Sequence, residues 1–201
     1  MATITKLSTQ KRAGYYNVFV DDQFLCGITE SDLIRLGLRK GQNVDDARIE
    51  QIQNISVASK HYNAALKFMS YRIRSTREVQ DHFRRKKLEA DEIDSIVEQL
   101  TKEKYLNDRE FAERWVAMRQ AERRSMRAIQ AELIKKGIDR RLIEEFAQAD
   151  QDEELVQAIE LVQKKRRLGK EDRLIQQFLA RRGFSYATVS KALSYNEDDE
   201  L

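Results

Sequence analysis

One six-residue pattern occurs three times along the chain, and it constrains the fold more than any other feature of the sequence. The pattern is an apolar residue, any residue, two cations, glycine or lysine, and a second apolar residue. Its copies are FRRKKL at 83–88, LIKKGI at 133–138 and LARRGF at 179–184. The second copy follows the first by 50 residues, and the third follows the second by 46. A period of this length is typical of helical repeat proteins, whose units bury their apolar faces against one another.

The sequence around the three copies has the features of helices. The chain contains no proline, and four of its seven glycines lie within the first 41 residues, so the remainder is nearly free of helix breakers. From Asp45 onward the apolar residues recur at helical spacing. Ser75 and Glu78 have the spacing of a capping box, in which each side chain binds the other residue's backbone N–H. Further helix starts are predicted at the candidate N-caps Asp91, Asn107, Asp139 and Ser185.

The helix ends inside the three copies are predicted to share one geometry. The two cations close the middle helix of each unit, and the next residue takes the left-handed conformation that glycine favours. Gly137 and Gly183 fit this geometry. Lys87 has the same place in the first copy, at a cost on the order of 1 kcal/mol relative to glycine. Lys87→Gly is therefore expected to stabilise the first unit.

The N-terminal part has the pattern of a small sheet. Two runs rich in β-forming residues, at 15–20 and 23–29, are separated by Asp21-Asp22, a two-residue hairpin turn, and TITKLST precedes them. A three-stranded meander is expected. A short helix should follow, with Ser31 as its N-cap and Gly41 at its end.

These features predict a mainly α protein: an elongated array of three tandem three-helix repeats preceded by a small β-rich N-terminal cap. Each repeat contains one copy of the six-residue pattern. The predicted divisions are a cap with a linking helix at 1–58, repeats at 59–106, 107–152 and 153–195, and an acidic tail at 196–201.

Composition argues against several kinds of functional site. A single cysteine, Cys26, allows no disulfide framework, and with two histidines the ligands for a zinc site are missing. No glycine-rich phosphate loop or nucleophile elbow is present, and no apolar run is long enough to span a membrane. We therefore expect a soluble, cytoplasmic binding protein with no catalytic residues, metal or cofactor.

The cations are distributed unevenly. The net charge is only +3, but residues 61–140 carry 19 cations against 14 anions. Cations in the last turn of a helix oppose its dipole by about 0.3–1 kcal/mol each, so the repeated pairs have a structural explanation. Their recurrence beside arginines near the Ser75 and Ser125 caps favours a shared binding surface instead. The candidates are Arg72, Arg74, Arg77, Arg85, Lys86, Arg123, Arg124, Arg127, Lys135, Lys136, Arg181 and Arg182.

The motifs of residues 60–145 in combination resemble those of the RecX family of bacterial regulatory proteins. They are Tyr71-x-x-Arg74-Ser75-x-x-Glu78-Val79, the cationic helix end, Tyr105-Leu106-Asn107-Asp108-x-x-Phe111-Ala112-x-x-Trp115-Val116, and Leu133-x-Lys135-Lys136-Gly137-Ile138. The third unit and the β-rich cap match more loosely. Lys87, where the family usually has glycine, and Glu171, in place of a serine cap, are local departures.

The resemblance implies a non-enzymatic modulator of the recombinase RecA. It would lie as a monomer along the groove of the RecA filament on single-stranded DNA, hinder strand exchange and repressor cleavage, and favour filament disassembly. Weak contact with single- or double-stranded DNA is part of this expectation, and the signature assigns no individual contacts. Two alternatives stay open: a direct nucleic-acid-binding helical repeat protein, whose affinity falls steeply with salt, and a helical scaffold for another protein partner.

Overall fold

The computed structural model describes residues 1–148 and 151–195. The predicted acidic tail at 196–201 lies outside the described residues. The chain divides into two compact units, one formed by residues 1–72 with 89–96 and the other by residues 73–88 with 97–201. Helices and strands are numbered below in chain order across both units.

The first unit begins with a four-stranded antiparallel sheet in the order β3-β2-β1-β4. The strands are β1 (Ala2–Thr9), β2 (Tyr15–Val20), β3 (Gln23–Thr29) and β4 (Asn43–Val44). Asp21 and Asp22 have φ angles of 45° and 64° and join β2 to β3, as a tight hairpin turn with two left-handed residues requires. The predicted meander is thus confirmed. β4, which pairs with Ala2 and Thr3, is an additional strand.

The short helix α1 (Glu30–Arg35) begins and ends at residues other than those predicted. Its N-cap is Thr29, whose hydroxyl accepts from the backbone N–H of Asp32, so Ser31 lies inside the first turn. The helix ends one turn earlier than Gly41, because Gly37 has φ +62° and turns the chain into the left-handed region. Both boundary predictions were wrong, because Thr29 caps the helix in place of Ser31 and Gly37 ends it in place of Gly41.

The helix α2 (Asp46–Met69) starts at the N-cap Asp45 and continues without a break for 24 residues. The predicted boundary between 58 and 59 therefore falls inside a continuous helix. Ser56 donates to the carbonyl of Gly27 at 2.5 Å, which ties α2 to the sheet. Buried apolar residues fill the space between α2 and the sheet: Ile4, Val18, Val20, Cys26, Ile28, Leu38, Val44 and Ile52.

Eight further helices follow in the described residues: α3 (Thr76–Arg85), α4 (Ala90–Lys102), α5 (Asp108–Ala121), α6 (Met126–Lys135), α7 (Arg140–Gln148), α8 (Gln151–Arg167), α9 (Asp172–Arg181) and α10 (Tyr186–Ser194). The capping box at Ser75 is present, and Asn107 and Ser185 cap α5 and α10. Asp139 precedes α7 and accepts from the backbone N–H of Arg141. Asp91 lies inside the first turn of α4 and is not its N-cap.

Two three-helix repeats in the second unit have equivalent cores. In α5, α6 and α7 the buried residues include Ala112, Ile129 and Leu133. In α8, α9 and α10 the corresponding residues are Ala158, Ile175 and Leu179. Both repeats have a fully buried alanine in the first helix. The predicted mainly α fold with three-helix repeats after a β-rich N-terminal part is confirmed.

Candidate functional site

The predicted helix ends at the three cation pairs are confirmed. Helices α3, α6 and α9 end at Arg85, Lys135 and Arg181, and the second cation of each pair is the C-cap. The following residue is left-handed in all three, with φ +61° at Lys87, +79° at Gly137 and +94° at Gly183. Lys87 thus has the left-handed conformation that glycine has at the two corresponding positions.

The C-terminal end of α6 docks on the N-terminal end of α3. We call this contact junction 1, formed by residues 75–78 and 135–137. The Ser75 hydroxyl donates to the carbonyl of Lys136 at 2.7 Å, and the Lys136 ammonium forms an ion pair with Glu78. At Gly137 a Cβ would lie 2.5 Å from Cδ of Arg77, so the backbone of α6 passes close over that arginine.

The same docking recurs one repeat later. Junction 2 is formed by residues 124–128 and 181–183. The backbone N–H of Ser125 donates to the carbonyl of Arg182 at 3.0 Å, and Nη1 of Arg124 donates to the carbonyl of Arg181 at 3.2 Å. A Cβ at Gly183 would overlap the Cβ of Ala128 and lie 3.3 Å from its Cα. The end of each middle helix therefore rests on the start of the middle helix in the preceding repeat.

These junctions bring together seven of the twelve predicted binding residues. Junction 1 contains Arg77, Lys135 and Lys136, and junction 2 contains Arg124, Arg127, Arg181 and Arg182. Of the remaining five, Arg85 and Lys86 lie at the end of α3, and Arg123 pairs with Glu160 at 3.1 Å. Arg74 directly precedes the Ser75 cap, and Arg72 belongs to the other compact unit.

In the second and third pairs the two cations have different surroundings. The second cation is engaged: Arg182 donates to the carbonyl of Glu122 and lies 4.6 Å from the Phe178 ring, and Lys136 lies 4.8 Å from the Trp115 ring. In the first pair both cations are exposed, and Lys86 lies 5.7 Å from the Phe83 ring. The first cation is exposed in each repeat, and no carboxylate of the described residues pairs with it. These first cations are Arg85, Lys135 and Arg181.

Trp115 connects the docking contact to the core of its repeat. Its indole Nε1 donates to Glu132 at 3.0 Å, and Arg119 donates to the same carboxylate at 2.7 Å. The Arg119 guanidinium also lies 4.6 Å from the indole ring centroid. The Lys136 ammonium contacts this ring as well, so the indole has two cation–π contacts, each of which is favourable.

The positive charge at the end of α3 contributes to lowering the pKa of a neighbouring histidine. Partial burial lowers the pKa of His82 below its ordinary value, and the charges of Lys86, Arg85 and Arg74 lower it further. His82 is therefore neutral at neutral pH and adds no charge to this surface.

A cavity of about 360 Å³ lies at junction 1. Its walls are polar and include Thr76, Gln80, Asp108 and the two arginines Arg77 and Arg84. The backbone N–H of Thr76 donates to Asp108 at 2.8 Å, so the first free N–H of α3 is already satisfied.

The three middle helices share an arginine and a glutamine, of which the sequence comparison had singled out only Arg77 and Arg127. When the helices are aligned on their N-caps, an arginine lies two residues after the cap and a glutamine five residues after it. Both lie on the same helical face, since they are three residues apart. The arginines are Arg77, Arg127 and Arg173, and the glutamines are Gln80, Gln130 and Gln176. Alignment on the caps, rather than on the cation pairs, is the signal that finds Arg173.

The described residues contain no group of three or more His, Cys, Asp or Glu side chains that could hold a metal ion. None of the helices in the described ranges is long and apolar enough to cross a membrane.

Family models match three parts of the chain. Their descriptions are regulatory protein RecX N-terminal domain at residues 2–45, RecX first three-helix domain at 62–100, and RecX second three-helix domain at 107–145. A regulatory protein RecX from Bacillus subtilis is 35% identical over 212 residues, covering 100% of this chain and 80% of that protein. The chain belongs to the RecX family. Its family membership makes it a regulatory protein. The predicted resemblance of its motifs to those of the RecX family is confirmed.

Other RecX proteins agree in sequence and fold. The regulatory protein RecX of Bacillus licheniformis is 37% identical, with 99% of this chain and 80% of that protein covered. A crystal structure of regulatory protein RecX superposes with a TM-score of 0.73 at 25% identity, over 94% of this chain and 98% of that one. The crystal structure of RecX from Lactobacillus salivarius superposes with a TM-score of 0.57 at 30% identity, over 68% of this chain and 94% of that one. The described α8–α10 repeat lies beyond the two matched RecX three-helix domains.

Proposed function

We propose that this RecX family protein binds RecA filaments on single-stranded DNA along the filament groove. Bound there, it inhibits the recombinase and co-protease activities of RecA and favours filament disassembly. It acts by binding rather than by catalysis, as a monomer in the cytoplasm. Family membership supports a regulatory role, and the arrangement of cations supports the mode of binding.

The observation that carries this proposal is the exposed first cation of each pair. Arg85, Lys135 and Arg181 occupy the same position at the end of three successive middle helices, and each is exposed. A filament presents the same surface on every protomer, so equivalent cations can meet equivalent acidic sites. Weak contacts then combine through effective concentration.

The second cations have a different role in this proposal. Lys136 and Arg182 hold the docking contacts together, through the Glu78 ion pair and through the carbonyl of Glu122. Reversing the charge of Lys136 would place a second carboxylate beside Glu78 and damage junction 1. A test of partner binding must therefore change Lys135 and leave Lys136 intact.

Co-sedimentation with RecA filaments tests the proposal. The protein is centrifuged with RecA assembled on single-stranded DNA, and with the DNA alone, at two salt concentrations. We expect it to pellet with the filaments and to depend on RecA at the higher salt concentration, where contacts to bare DNA weaken. Equal pelleting with DNA alone at both concentrations would favour the direct nucleic-acid binder. Failure to pellet with filaments at either concentration would overturn the proposal.

A further inference from the structure

We propose that junction 2 is a binding site for the phosphate backbone of single-stranded DNA, whereas junction 1 is not. The proposal rests on the proposed function only in using Arg181, one of the exposed first cations. It is independent of whether RecA is present, because it concerns contact between this chain and the nucleic acid itself.

The two junctions have the same docking geometry but different charge. At junction 1 the acids of α3 pair with two of the three cations: Glu78 pairs with Lys136, and Asp81 lies 3.9 Å from Arg77 as well as 3.0 Å from Arg84. The residues of α6 that correspond to Glu78 and Asp81 are Ala128 and Ala131. The positions that carry neutralising acids in one repeat are therefore uncharged in the next.

The cations of junction 2 consequently have no acids at these positions to neutralise them. None of Arg124, Arg127, Arg181 and Arg182 pairs with a carboxylate of the described residues. The acids in the neighbouring helices are engaged elsewhere, since Glu122 pairs with Arg119 at 2.7 Å and Glu160 with Arg123 at 3.1 Å. A group of four such cations on two helix ends strongly favours an anionic partner.

The number of cations favours a run of anions over a single carboxylate. All four are arginines, whose planar guanidinium binds the oxygens of a phosphate or a carboxylate through two parallel hydrogen bonds. Arg124 and Arg182 are held in place by hydrogen bonds to backbone carbonyls, which orient them and leave their charge unchanged. Arg127 and Arg181 are exposed. Two fixed and two available guanidinium groups suit a chain of phosphates, which offers an anion at every nucleotide.

The nucleobases play little part in this site. The ring of Phe178 is the aromatic group nearest these arginines in the described contacts, and Lys165 and Arg182 lie 4.5 Å and 4.6 Å from its centroid. These two cations compete with any base for this ring. Phosphate contacts carry no sequence information, so the site should bind single strands without regard to sequence.

The test measures the affinity of the full chain for a fluorescein-labelled oligothymidylate by fluorescence anisotropy, over a series of salt concentrations and without RecA. The variant Arg127→Ala/Arg181→Ala removes the two available cations and leaves the docking hydrogen bonds intact. Each phosphate contact contributes about 0.7 to the slope of log K against log salt. We expect the slope to fall by about 1.4 and the affinity at about 0.1 M salt to fall about 25-fold.

Two further variants make the result specific. Arg109→Ala/Arg114→Ala removes two cations of the same repeat that lie outside both junctions and already pair with Glu145 and Glu110. It should bind within about twofold of the unmodified protein. Arg77→Ala/Lys135→Ala changes the corresponding positions of junction 1 and should lose far less affinity than the junction 2 variant. Circular dichroism spectra and melting temperatures establish that each variant is folded.

Three outcomes would overturn the inference. They are no measurable binding of oligothymidylate by the unmodified protein, equal losses at the two junctions, and unchanged affinity in Arg127→Ala/Arg181→Ala. If the last variant keeps its DNA affinity but no longer pellets with RecA filaments, junction 2 contacts an acidic protein surface instead. Filament binding without oligothymidylate binding would contradict this inference alone, and the reverse result would contradict only the proposed function.

Discussion

Three left-handed glycines provide a graded test of the docking between repeats. Gly169, Gly137 and Gly183 have φ angles of +70°, +79° and +94°, so alanine meets a similar conformational penalty at each. Their surroundings differ. A Cβ would meet nothing within 4 Å at Gly169, both Cδ and the backbone-fixed Cβ of Arg77 at Gly137, and Cβ and Cα of Ala128 at Gly183.

The expected losses of stability follow from these surroundings. The left-handed conformation costs alanine about 1 kcal/mol, of which about 0.4–1 kcal/mol is offset by the lower entropy of the unfolded chain. Gly169→Ala should therefore cost about 0.5 kcal/mol. At Gly183 the neighbouring atoms cannot move aside, which adds about 1–3 kcal/mol, so Gly183→Ala should cost about 2–3 kcal/mol. Gly137→Ala should cost about 2 kcal/mol, because the outer atoms of Arg77 can move but its Cβ is fixed by the backbone.

Urea denaturation followed by far-ultraviolet circular dichroism measures these losses. Trp115 is the only tryptophan in the chain, so its fluorescence reports separately on the repeat formed by α5, α6 and α7. Gly169→Ala is the matched control, since it has the same backbone strain without the close contact. If Gly183→Ala is as stable as Gly169→Ala, then α9 does not dock on α6 as described.

Other predictions concern the helix end of the first repeat, the two cations of junction 1 and the first unit. Lys87→Gly should raise the melting temperature, with a gain of at most about 1 kcal/mol, and a lowered melting temperature would contradict the reasoning. Lys136→Glu should cost about 2 kcal/mol by breaking a half-buried ion pair, while Lys135→Glu should stay within about 0.5 kcal/mol, both measured by urea denaturation. Burial raises the pKa of Asp32, but hydrogen bonds from Ser59 and Thr29 and the charge of Arg35 outweigh it, so the pKa lies below its usual value. The stability advantage over Asp32→Asn should then be constant above about pH 4 and disappear as the pH falls through the folded-state pKa, and an advantage that grows in acid would refute this.

Features set by neighbouring residues could be predicted from the sequence. The hairpin at Asp21-Asp22, the capping box at Ser75 and the left-handed helix ends each depend on a few consecutive residues. Local chemistry also explains the wrong assignments in α1. Thr29 and Ser31 are both good N-caps, and only the backbone shows that Thr29 accepts from Asp32. β4 has two residues, too few to show an alternating pattern.

The junctions could not be predicted in the same way. The hydrogen bond from Ser75 to the carbonyl of Lys136 joins residues 61 apart in sequence, and its acceptor is a backbone atom with no residue preference. The sequence pattern presents both cations of a pair as equivalent. The structure separates them, because one faces solvent and the other, in Lys136 and Arg182, serves the docking contact. The cations most suited to partner binding are thus a subset that only the packing of the repeats reveals.

The central claim is that the exposed first cations bind the RecA filament, and the DNA-dependent ATPase rate of RecA tests it most directly. We predict that the unmodified protein suppresses this rate. The variant Arg85→Ala/Lys135→Ala/Arg181→Ala should require a concentration at least about 10-fold higher for the same suppression. The charge-matched control Arg109→Ala/Arg114→Ala/Arg140→Ala should behave like the unmodified protein. Equal suppression by the two triple variants, or none by the unmodified protein, would contradict the claim.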